Sequence, residues 1–362
     1  MKRLFLNQLL LTGSLAVAAQ AQNFSTLTEW SIPTPNSFPG QVLASGTSGA
    51  YFSELSSGKI GFLDMKRNTI TEWTLPAGSS PYGLAADGGN LAFADQGSHV
   101  AILDPGTSTL KTWTIPSFNS APRVLEVAVE GKLIFFSDFN QNLVGMVDTS
   151  NNQVTMWTMP GSRSPRGITI AGKASGVEVW TADTTAFVSR LNPATNTFTE
   201  WQAGSEPLEI AMEANGNVLI SDFFNQVFEL NPISNIVDAW HLPTPDSEPD
   251  NLVAYAPGIA AFAEFQTGRV ATLNMTAPTN FHGAITPFTT VVAPITEVVQ
   301  PQTITLPETI SPATSVSSGD SRIVTGGFTE YPACCGNVGI ATTSKGALLF
   351  TMGFTNRIGM LQ

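Results

Sequence analysis

Short runs of alternating apolar and polar residues fill the chain, and each run ends at Gly, Pro, Asn, Asp or Ser. This is the pattern of short β-strands joined by turns. Within one stretch it predicts four strands, at residues 82–86, 90–94, 99–103 and 109–114. A helical repeat would need apolar residues at a period of 3.6, and 24 prolines and 31 glycines argue against it. The pattern therefore predicts an all-β protein.

Two motifs repeat along the chain in the same phase. The first is Thr-Glu-Trp or a variant of it, and successive tryptophans lie 39 to 44 residues apart. The second is an apolar strand that ends on an acidic residue. Its copies end at Glu54, Asp95, Asp138, Asp183, Asp222 and Glu264, and a seventh ends at Met352. Four strands per period of this length are typical of β-propeller blades, so we predict seven blades, with a six-bladed ring as the alternative.

The phase of the repeat also predicts how the ring closes. The last strand, at 357–361, matches the third strand of a blade, and the strand at 27–32 has no blade of its own. We expect the N-terminal strand to complete the last blade. Residues 276–327 break the period and are rich in Thr, Pro and Val, which predicts an irregular insertion between the last two blades. It would lie along the outside of the ring or form a lid.

Charge and the first residues restrict location and partners. The net charge of −12 argues against binding to nucleic acid or to anionic membranes. Lys2 and Arg3 precede an apolar run that is too short for a membrane anchor and ends before Ala19-Gln20-Ala21. We predict a signal peptide at 1–21, a secreted mature chain at 22–362 with one propeller domain, and a monomer. Asn23 and Asn274 begin glycosylation sequons.

The repeat resembles a known family. Thr71-Glu72-Trp73-Thr74-Leu75-Pro76, then Ser80-Pro81-Tyr82-Gly83-Leu84 and Phe93-Ala94-Asp95 are similar to the blade pattern of the virginiamycin B lyase (streptogramin lyase) family. The resemblance covers 27–275 and 337–362. It implies a propeller that linearises a cyclic depsipeptide by elimination, with a divalent metal and with histidine and glutamate side chains at the channel mouth.

The histidine of the family's Pro-His-Gly step does not appear at the matching positions. They hold Gln41, Tyr82, Arg123, Arg166, Leu208 and Asp250. We therefore expect the family fold without its catalytic histidine, and no cofactor. The alternative is Mg or Ca held by the repeated carboxylates, which are oxygen ligands that suit hard cations.

Loops of successive blades meet at one face of a propeller, and they bring candidate side chains to the channel mouth. We predict Tyr82, Arg123 and Arg166 as hydrogen-bond donors there. Asp138, Asp222, Asp250 and Glu264 are the predicted acceptors or bases. Repulsion among convergent carboxylates would raise some of their pKa values. In the alternative interpretation, each repeated acid caps the backbone amides of its own turn.

Apolar side chains and a cysteine pair lie near the same face. Phe139, Phe223, Phe224, Phe265 and Phe354 follow the acidic positions or their equivalent, and with Met352 they predict an apolar substrate pocket. The alternative is that they pack under the loops. Cys334 and Cys335 are the only cysteines, and secretion favours a vicinal disulfide over two thiols.

A second resemblance, in overall character and not in any motif, is to fungal propeller-type hetero-Diels–Alderases of tropolone–sesquiterpene pathways. The best hypothesis is therefore a secreted, metal-free cyclase of secondary metabolism acting on a small apolar substrate. Such an enzyme would hold its reactants in a reactive geometry and donate hydrogen bonds to developing charge. A metal-dependent lyase or lactonase is one alternative, and a non-catalytic binding propeller is the other.

Overall fold

Seven antiparallel sheets form the protein in the computed structural model, which describes residues 24–173, 176–319, 321–333 and 336–362. The seven-bladed β-propeller predicted from the sequence is confirmed. Within those ranges, no helix has the length and apolarity that crossing a membrane requires. The predicted signal peptide, Asn23, Cys334 and Cys335 lie outside the described residues.

Each of blades 1 to 5 takes four consecutive strands from the chain, after an N-terminal strand β1 (Thr26–Ser31). Blades 1 and 2 contain β2 (Pro39–Ser45), β3 (Gly49–Glu54), β4 (Lys59–Asp64), β5 (Thr69–Thr74), β6 (Pro81–Asp87), β7 (Asn90–Asp95), β8 (His99–Asp104) and β9 (Thr109–Thr114). Blade 3 contains β10 (Val124–Glu130), β11 (Leu133–Asp138), β12 (Leu143–Asp148) and β13 (Gln153–Thr158). Blades 4 and 5 contain β14 (Pro165–Lys173), β15 (Gly176–Asp183), β16 (Phe187–Asn192), β17 (Thr197–Gln202), β18 (Pro207–Met212), β19 (Val218–Asp222), β20 (Gln226–Asn231) and β21 (Ile236–His241).

Blade 6 is interrupted. It begins with β22 (Pro249–Ala256), β23 (Ile259–Glu264) and β24 (Arg269–Asn274), but its fourth strand is β32 (Phe328–Pro332). The insertion therefore lies inside blade 6, not between two blades as the sequence analysis placed it. The sequence Thr329-Glu330-Tyr331 in β32 repeats the Thr-Glu-Trp motif with tyrosine, and its distance from Trp240 hid the match.

The insertion circles the ring once as a belt, which we call the strap. Where an irregular segment was expected, it forms seven short strands, and each adds a fifth strand to one blade. The strap runs through blades 5, 4, 3, 2, 1, 7 and 6 as β25 (Phe281–Ala284), β26 (Phe288–Val291), β27 (Ile295–Val298), β28 (Gln302–Thr305), β29 (Glu308–Pro312), β30 (Thr314–Gly319) and β31 (Ile323–Thr325). It covers the outer edge of every blade, on the side away from the first strands.

The N-terminal strand closes the ring, as the strand order shows. Blade 7 contains β33 (Asn337–Thr342), β34 (Leu348–Met352) and β35 (Arg357–Leu361), with a short 3₁₀ turn at Gly353–Thr355. The fourth strand is β1, which pairs with β35 on one side and with β30 on the other. The Ser25 and Thr26 amides also donate to the Gln362 carbonyl at 2.9 and 3.1 Å.

A large and a small residue alternate inside the blades. In blade 1, Phe52 of the second strand lies beside Gly61 of the third, where an added Cβ would stand 2.1 Å from the phenyl ring. The same pairing of phenylalanine with a small residue recurs as Phe93 with Ala101, Phe136 with Gly145, Phe262 with Ala271 and Phe350 with Gly359. The small residue on the third strand, glycine or alanine, leaves room for the phenyl ring to fill the space between neighbouring blades.

The repeated tryptophans tie each blade to the next and to the strap. The Trp157 indole N–H donates to Asn196 Oδ1 of the following blade at 2.8 Å. Asn196 has φ of 54°, and its carbonyl accepts the Val292 amide of the strap at 2.9 Å. Equivalent indole bonds join Trp30 to Asn68, Trp113 to Asn152, Trp201 to Asn235 and Trp73 to the Ser108 hydroxyl.

Candidate active site at the central channel

The first strands of the seven blades surround the channel and contact one another in a closed ring. Their register with the second strands defines equivalent positions: Pro39 faces Glu54, Pro81 faces Asp95, and Val124 faces Asp138. The two positions that follow form two layers of the channel. The first layer is Gly40, Tyr82, Leu125, Arg166, Leu208, Asp250 and Val338, and the second is Gln41, Gly83, Glu126, Gly167, Glu209, Asn251 and Gly339.

Three of the predicted residues meet in the first layer. Arg166 Nη2 of blade 4 forms an ion pair with Asp250 Oδ1 of blade 6, on the far side of blade 5. The Arg166 guanidinium also acts electrostatically on Tyr82 of blade 2. Because arginine can only donate, this interaction does not consume the Tyr82 O–H proton. Tyr82 and Asp250 are buried, and the Arg166 side chain is 24% exposed.

Two glutamates that the sequence analysis missed complete the cluster. Glu126 accepts a hydrogen bond from Gln41 Nε2 at 3.2 Å, and Glu209 accepts one from the Ile210 amide at 3.2 Å. Both are buried, and the positive charge of Arg166 lowers the pKa of each, against the larger effect of burial. They occupy the position of the glycine in the repeated Pro-x-Gly motif. This replacement of glycine by glutamate could have identified them in the sequence as candidate channel residues.

Glycines in the alternate blades make room for these glutamates. A Cβ on Gly83 would stand 2.2 Å from Glu126 Oε2, and one on Gly167 would stand 2.3 Å from Glu209 Oε1. A side chain at either glycine would therefore displace the carboxyl group of the next blade. The glycine of one blade and the glutamate of the next occupy complementary volumes.

Burial raises the pKa values of the carboxyl groups in the cluster. Desolvation raises the pKa of Glu209 to about 8 and raises the pKa of Glu126 well above its usual range, with repulsion from Glu209 adding to the effect on Glu126. Burial also raises the pKa of Asp250, which the Arg166 charge opposes. Burial lowers the pKa of Arg166, but Asp250 and Tyr82 more than offset this and leave that pKa raised. At neutral pH, the cluster therefore combines a charged Arg166 with at least one protonated carboxyl group.

Arg123 lies outside this cluster. The register aligns Leu125, not Arg123, with Tyr82 and Arg166, and it aligns Gly40, not Gln41, with them. Arg123 is exposed before β10, where its guanidinium lies 5.4 Å from the centre of the Phe139 ring. Its Nε donates to Gln96 Oε1 at 3.3 Å.

The repeated acids at the ends of the second strands bind the turns of their own blades. Asp138 Oδ1 accepts the Arg123 and Gln141 amides at 3.0 and 3.2 Å. Asp222 Oδ2 accepts the Ser205 and Glu206 amides at 2.7 and 2.8 Å. Glu264, whose pKa burial raises to about 7, accepts the Thr267 hydroxyl at 2.6 Å. Asp138 and Asp222 therefore cap backbone turns, whereas Glu264 binds a side-chain hydroxyl of its own turn.

The predicted apolar residues form separate groups. Phe354 contacts Phe265 and Phe38 across blades 6, 7 and 1, with ring centres 5.5 and 5.6 Å apart. Phe223 and Phe224 pack together on blade 5, at 5.4 Å. Phe139 lies under Arg123 on blade 3, and Met352 is completely buried in the core. The three aromatic groups belong to different blades, and Met352 is closed to solvent.

The comparison with known proteins agrees with the architecture. The model of the virginiamycin B lyase family matches residues 14–273. The chain belongs to the virginiamycin B lyase family. Virginiamycin B lyase from Staphylococcus aureus, in a selenomethionine-substituted crystal structure, matches with a TM-score of 0.69 at 15% identity, over 93% of this chain and 98% of that chain. The S. aureus enzyme in a catalytically inactive form with quinupristin gives a TM-score of 0.70 at the same identity and coverage.

At 15% identity, these likenesses to virginiamycin B lyases concern the fold alone. No curated protein sequence matches the chain. In this member of the virginiamycin B lyase family, the first layer of the channel contains no histidine. The three histidines lie on the third strand of blade 2, the fourth strand of blade 5 and the strap, as His99, His241 and His282.

The channel residues do not fit the divalent metal that the family resemblance implies. Among the described residues, no group of three or more His, Cys, Asp and Glu has the geometry of a metal site. In the channel, Asp250 is paired with the Arg166 guanidinium, so a fixed cation already occupies the carboxylate that a metal would need. We therefore derive no chemical step through a metal.

Asn274, the described glycosylation candidate, lies at the end of β24 and is partly exposed. Its Oδ1 accepts the Thr276 amide and hydroxyl at 3.1 and 2.8 Å. The Asn274 side-chain amide nitrogen is the atom to which a glycan would attach.

Proposed function

We propose that the protein is an enzyme that closes a ring in a largely apolar small molecule at the channel mouth, by a hetero-Diels–Alder type of cycloaddition that needs no metal. The observation that carries the proposal is the buried cluster of donors. Arg166 and Tyr82 lie in the first layer of the channel, among the apolar residues Leu125, Leu208 and Val338. Burial raises the pKa of the neighbouring Glu209 to about 8, which favours a third donor.

The chemistry of a cycloaddition suits such a cluster. Two new carbon–carbon or carbon–oxygen single bonds form from π electrons, no group leaves, and no nucleophilic side chain takes part. Negative charge grows on the oxygen of the enone component, where Arg166 and Tyr82 would donate hydrogen bonds. The apolar channel walls would hold the two components together and convert a bimolecular encounter into an oriented one.

The test uses a tropolone-derived enone with a sesquiterpene alkene, and mass spectrometry detects the adduct. We expect the wild type to accelerate adduct formation. Arg166→Met and Tyr82→Phe should each lower the rate by about 10²-fold, since loss of one preorganised donor costs about that much. Arg123→Ala, outside the cluster, should leave the rate within about twofold of the wild type.

Two results would contradict the cyclase proposal. One is adduct formation at the uncatalysed rate, and the other is a loss in Arg123→Ala as large as that in Arg166→Met. Binding of both reactants with no adduct would instead indicate a non-catalytic binding propeller.

Family membership favours a second candidate, elimination that opens a cyclic depsipeptide. Its probe is quinupristin, which accompanies the inactive S. aureus enzyme in its crystal structure. A linear product of unchanged mass that appears with Mg²⁺ and disappears with a chelator would establish this lyase activity. It would also replace the cycloaddition as the proposed function.

We propose further that the mature protein is secreted as a monomer that begins at Gln22 and binds no stoichiometric metal. N-terminal sequencing, light scattering and metal analysis of protein purified without chelator or metal-affinity resin test these points. One Mg or Ca per chain would favour the lyase over the cyclase.

A further inference from the structure

Blade 5 reverses the pairing of large and small residues that blades 1, 2, 3, 6 and 7 share, and blade 4 has Thr181 opposite Ser189 at this position. In the pairs described above, phenylalanine lies on the second strand and a small residue on the third. Blade 5 instead has Ile220 on β19 and Phe228 on β20. The phenyl ring is thereby moved one strand outward, toward the edge that the strap covers.

The connection from blade 4 to blade 5 departs from the repeat at the same place. Two residues after five of the six repeated tryptophans stands a large apolar side chain that packs between blades. These are Ile32, Leu75, Ile115, Met159 and Leu242, but the blade 4 copy is Ala203. Gly204 follows with φ of +88°, and a Cβ there would stand 2.5 Å from Asp222 Oδ2. Gly204 therefore cannot be replaced by a larger residue without displacing Asp222, and Ala203 leaves open the space that a larger side chain fills at the other gaps.

The strap departs from its own pattern at this gap as well. Its strands on blades 5 and 4 begin with Phe281 and Phe288, whereas the next three begin with Ile295, Gln302 and Glu308. Phe281 and Phe288 are 51% and 58% exposed. Such exposure is costly for two aromatic side chains that lie on either side of one opening.

Together these departures create a cavity of about 670 Å³ between blades 4 and 5, under the strap and away from the channel cluster. Its walls include Ala203, Phe228, Phe281 and Phe288. The equivalent gap between blades 1 and 2, where Leu75 and Pro76 replace Ala203 and Gly204, measures about 190 Å³. We propose that the larger cavity is a second binding site, for an uncharged, largely apolar small molecule that carries a hydroxyl or carbonyl oxygen.

The lining decides the chemical class of the ligand. No Asp, Glu, Lys or Arg is among the described residues that line the cavity, so a charged ligand would find no counter-ion there. The polar side chains of the lining are Gln202, Ser205, Gln226, His241 and Thr286, and Gln226 Nε2 lies 3.0 Å from His241 Nε2. Three phenyl rings and a few uncharged polar groups in a volume of this size are typical of small-molecule sites.

The experiment measures binding of Nile red, a neutral apolar dye with a carbonyl group, to the full mature chain. Ala203→Leu restores the side chain found at the equivalent gaps and should weaken dye binding at least tenfold. Phe288→Ser should weaken it severalfold. Val298→Ser is the matched control, since Val298 is an equally exposed apolar residue of the strap on blade 3 and should leave binding unchanged.

Competition tests the chemical class. Farnesol, a neutral alcohol, should displace the dye, and farnesyl diphosphate should not. Unchanged dye affinity in Ala203→Leu, equal losses in Phe288→Ser and Val298→Ser, or no binding of either neutral probe would each overturn the proposal. If Ala203→Leu does not fold, as judged by circular dichroism, the surface variant Phe288→Ser and its control decide the outcome.

Discussion

Single residues at the turns between the third and fourth strands connect three parts of the molecule. Asn196 adopts a left-handed backbone, accepts the Trp157 indole N–H and offers its carbonyl to Val292 of the strap. Asparagine tolerates this backbone better than other residues that carry a Cβ, and its side chain is long enough to reach the indole. Asn196 thus adopts the backbone that its turn needs, binds the tryptophan of the preceding blade and binds the strap.

Asn196→Ala should lower the free energy of unfolding by about 2–3 kcal/mol, because it combines left-handed strain with an indole donor that loses its partner. Asn196→Gly removes the strain and should lower it by about 1 kcal/mol. Urea denaturation measures both values. Equal effects of Ala and Gly would show that the backbone conformation contributes nothing.

The buried carboxyl groups determine how stability depends on pH. The pKa of Glu209 is raised to about 8 from 4.5, so the native state holds this proton more tightly than the unfolded chain. Its contribution is complete below pH 4.5, and stability falls as the pH rises to about 8. Burial raises the pKa values of Glu54 to about 8 and of Asp183 to about 6, and these groups act in the same direction.

Glu209→Gln should therefore make the fall in unfolding free energy between pH 5 and 8 shallower, by at most about 1.4 kcal/mol per pH unit. Denaturant melts at four pH values measure the slope. The exposed Glu130→Gln is the control and should retain the wild-type slope. A wild-type slope in Glu209→Gln would mean that this carboxyl is ionised in the native state.

At the scale of elements, the strands of the strap form only because each pairs with a blade. Its strands have three to six residues, and Pro287, Pro294, Pro301 and Pro307 separate the first five. Strands this short are not stable on their own. Each strand instead pairs with the outer edge of one blade. Apolar residues spaced about seven apart, among them Ile285, Val292, Val299 and Leu306, pack against the gaps between blades.

Leu306→Ala tests this anchoring. Leu306 is buried against the core shared by blades 1 and 2, and its amide donates to the Ser108 carbonyl at 2.7 Å. The variant should lose about 2–3 kcal/mol and expose the strap to proteolysis. Ile304→Ala, two residues before Leu306 on β28 and 42% exposed, should cost less than about 0.5 kcal/mol. Comparable losses in the two variants would argue against an anchor at Leu306.

At the scale of the whole molecule, the ring depends on a strand from one end of the chain pairing with a strand from the other. Pairing of β1 with β35 leaves blade 7 without an open edge, and the strap then covers β1 on its outer side. An unpaired β35 would present both a hydrogen-bonding edge and an exposed core.

A chain that begins at residue 32 should lose cooperative unfolding and associate through that edge, whereas a chain that begins at residue 24 should remain monomeric. Light scattering and thermal melts distinguish them. A synthetic peptide of residues 24–32, added in trans, should restore the monomer and its melting transition. A cooperative, monomeric short chain would show that β1 is dispensable for closure.

The sequence by itself determined the number of blades, the strand pattern within a blade and the closure by the N-terminal strand. These follow from local alternation and a repeat period, which act over a few residues at a time. It also marked Tyr82, Arg166 and Asp250 as channel residues, because they occupy a repeated motif.

Only the tertiary structure decided the rest. Glu126 and Glu209 become site residues because the glycines of neighbouring blades leave room for them, and Arg123 leaves the site because of a shift in register. The strap becomes β-structure because its pairing partners lie on other blades, up to 293 residues away at Thr26 and Gly319. Such contacts depend on the arrangement of blades in space, which no local pattern along the chain contains.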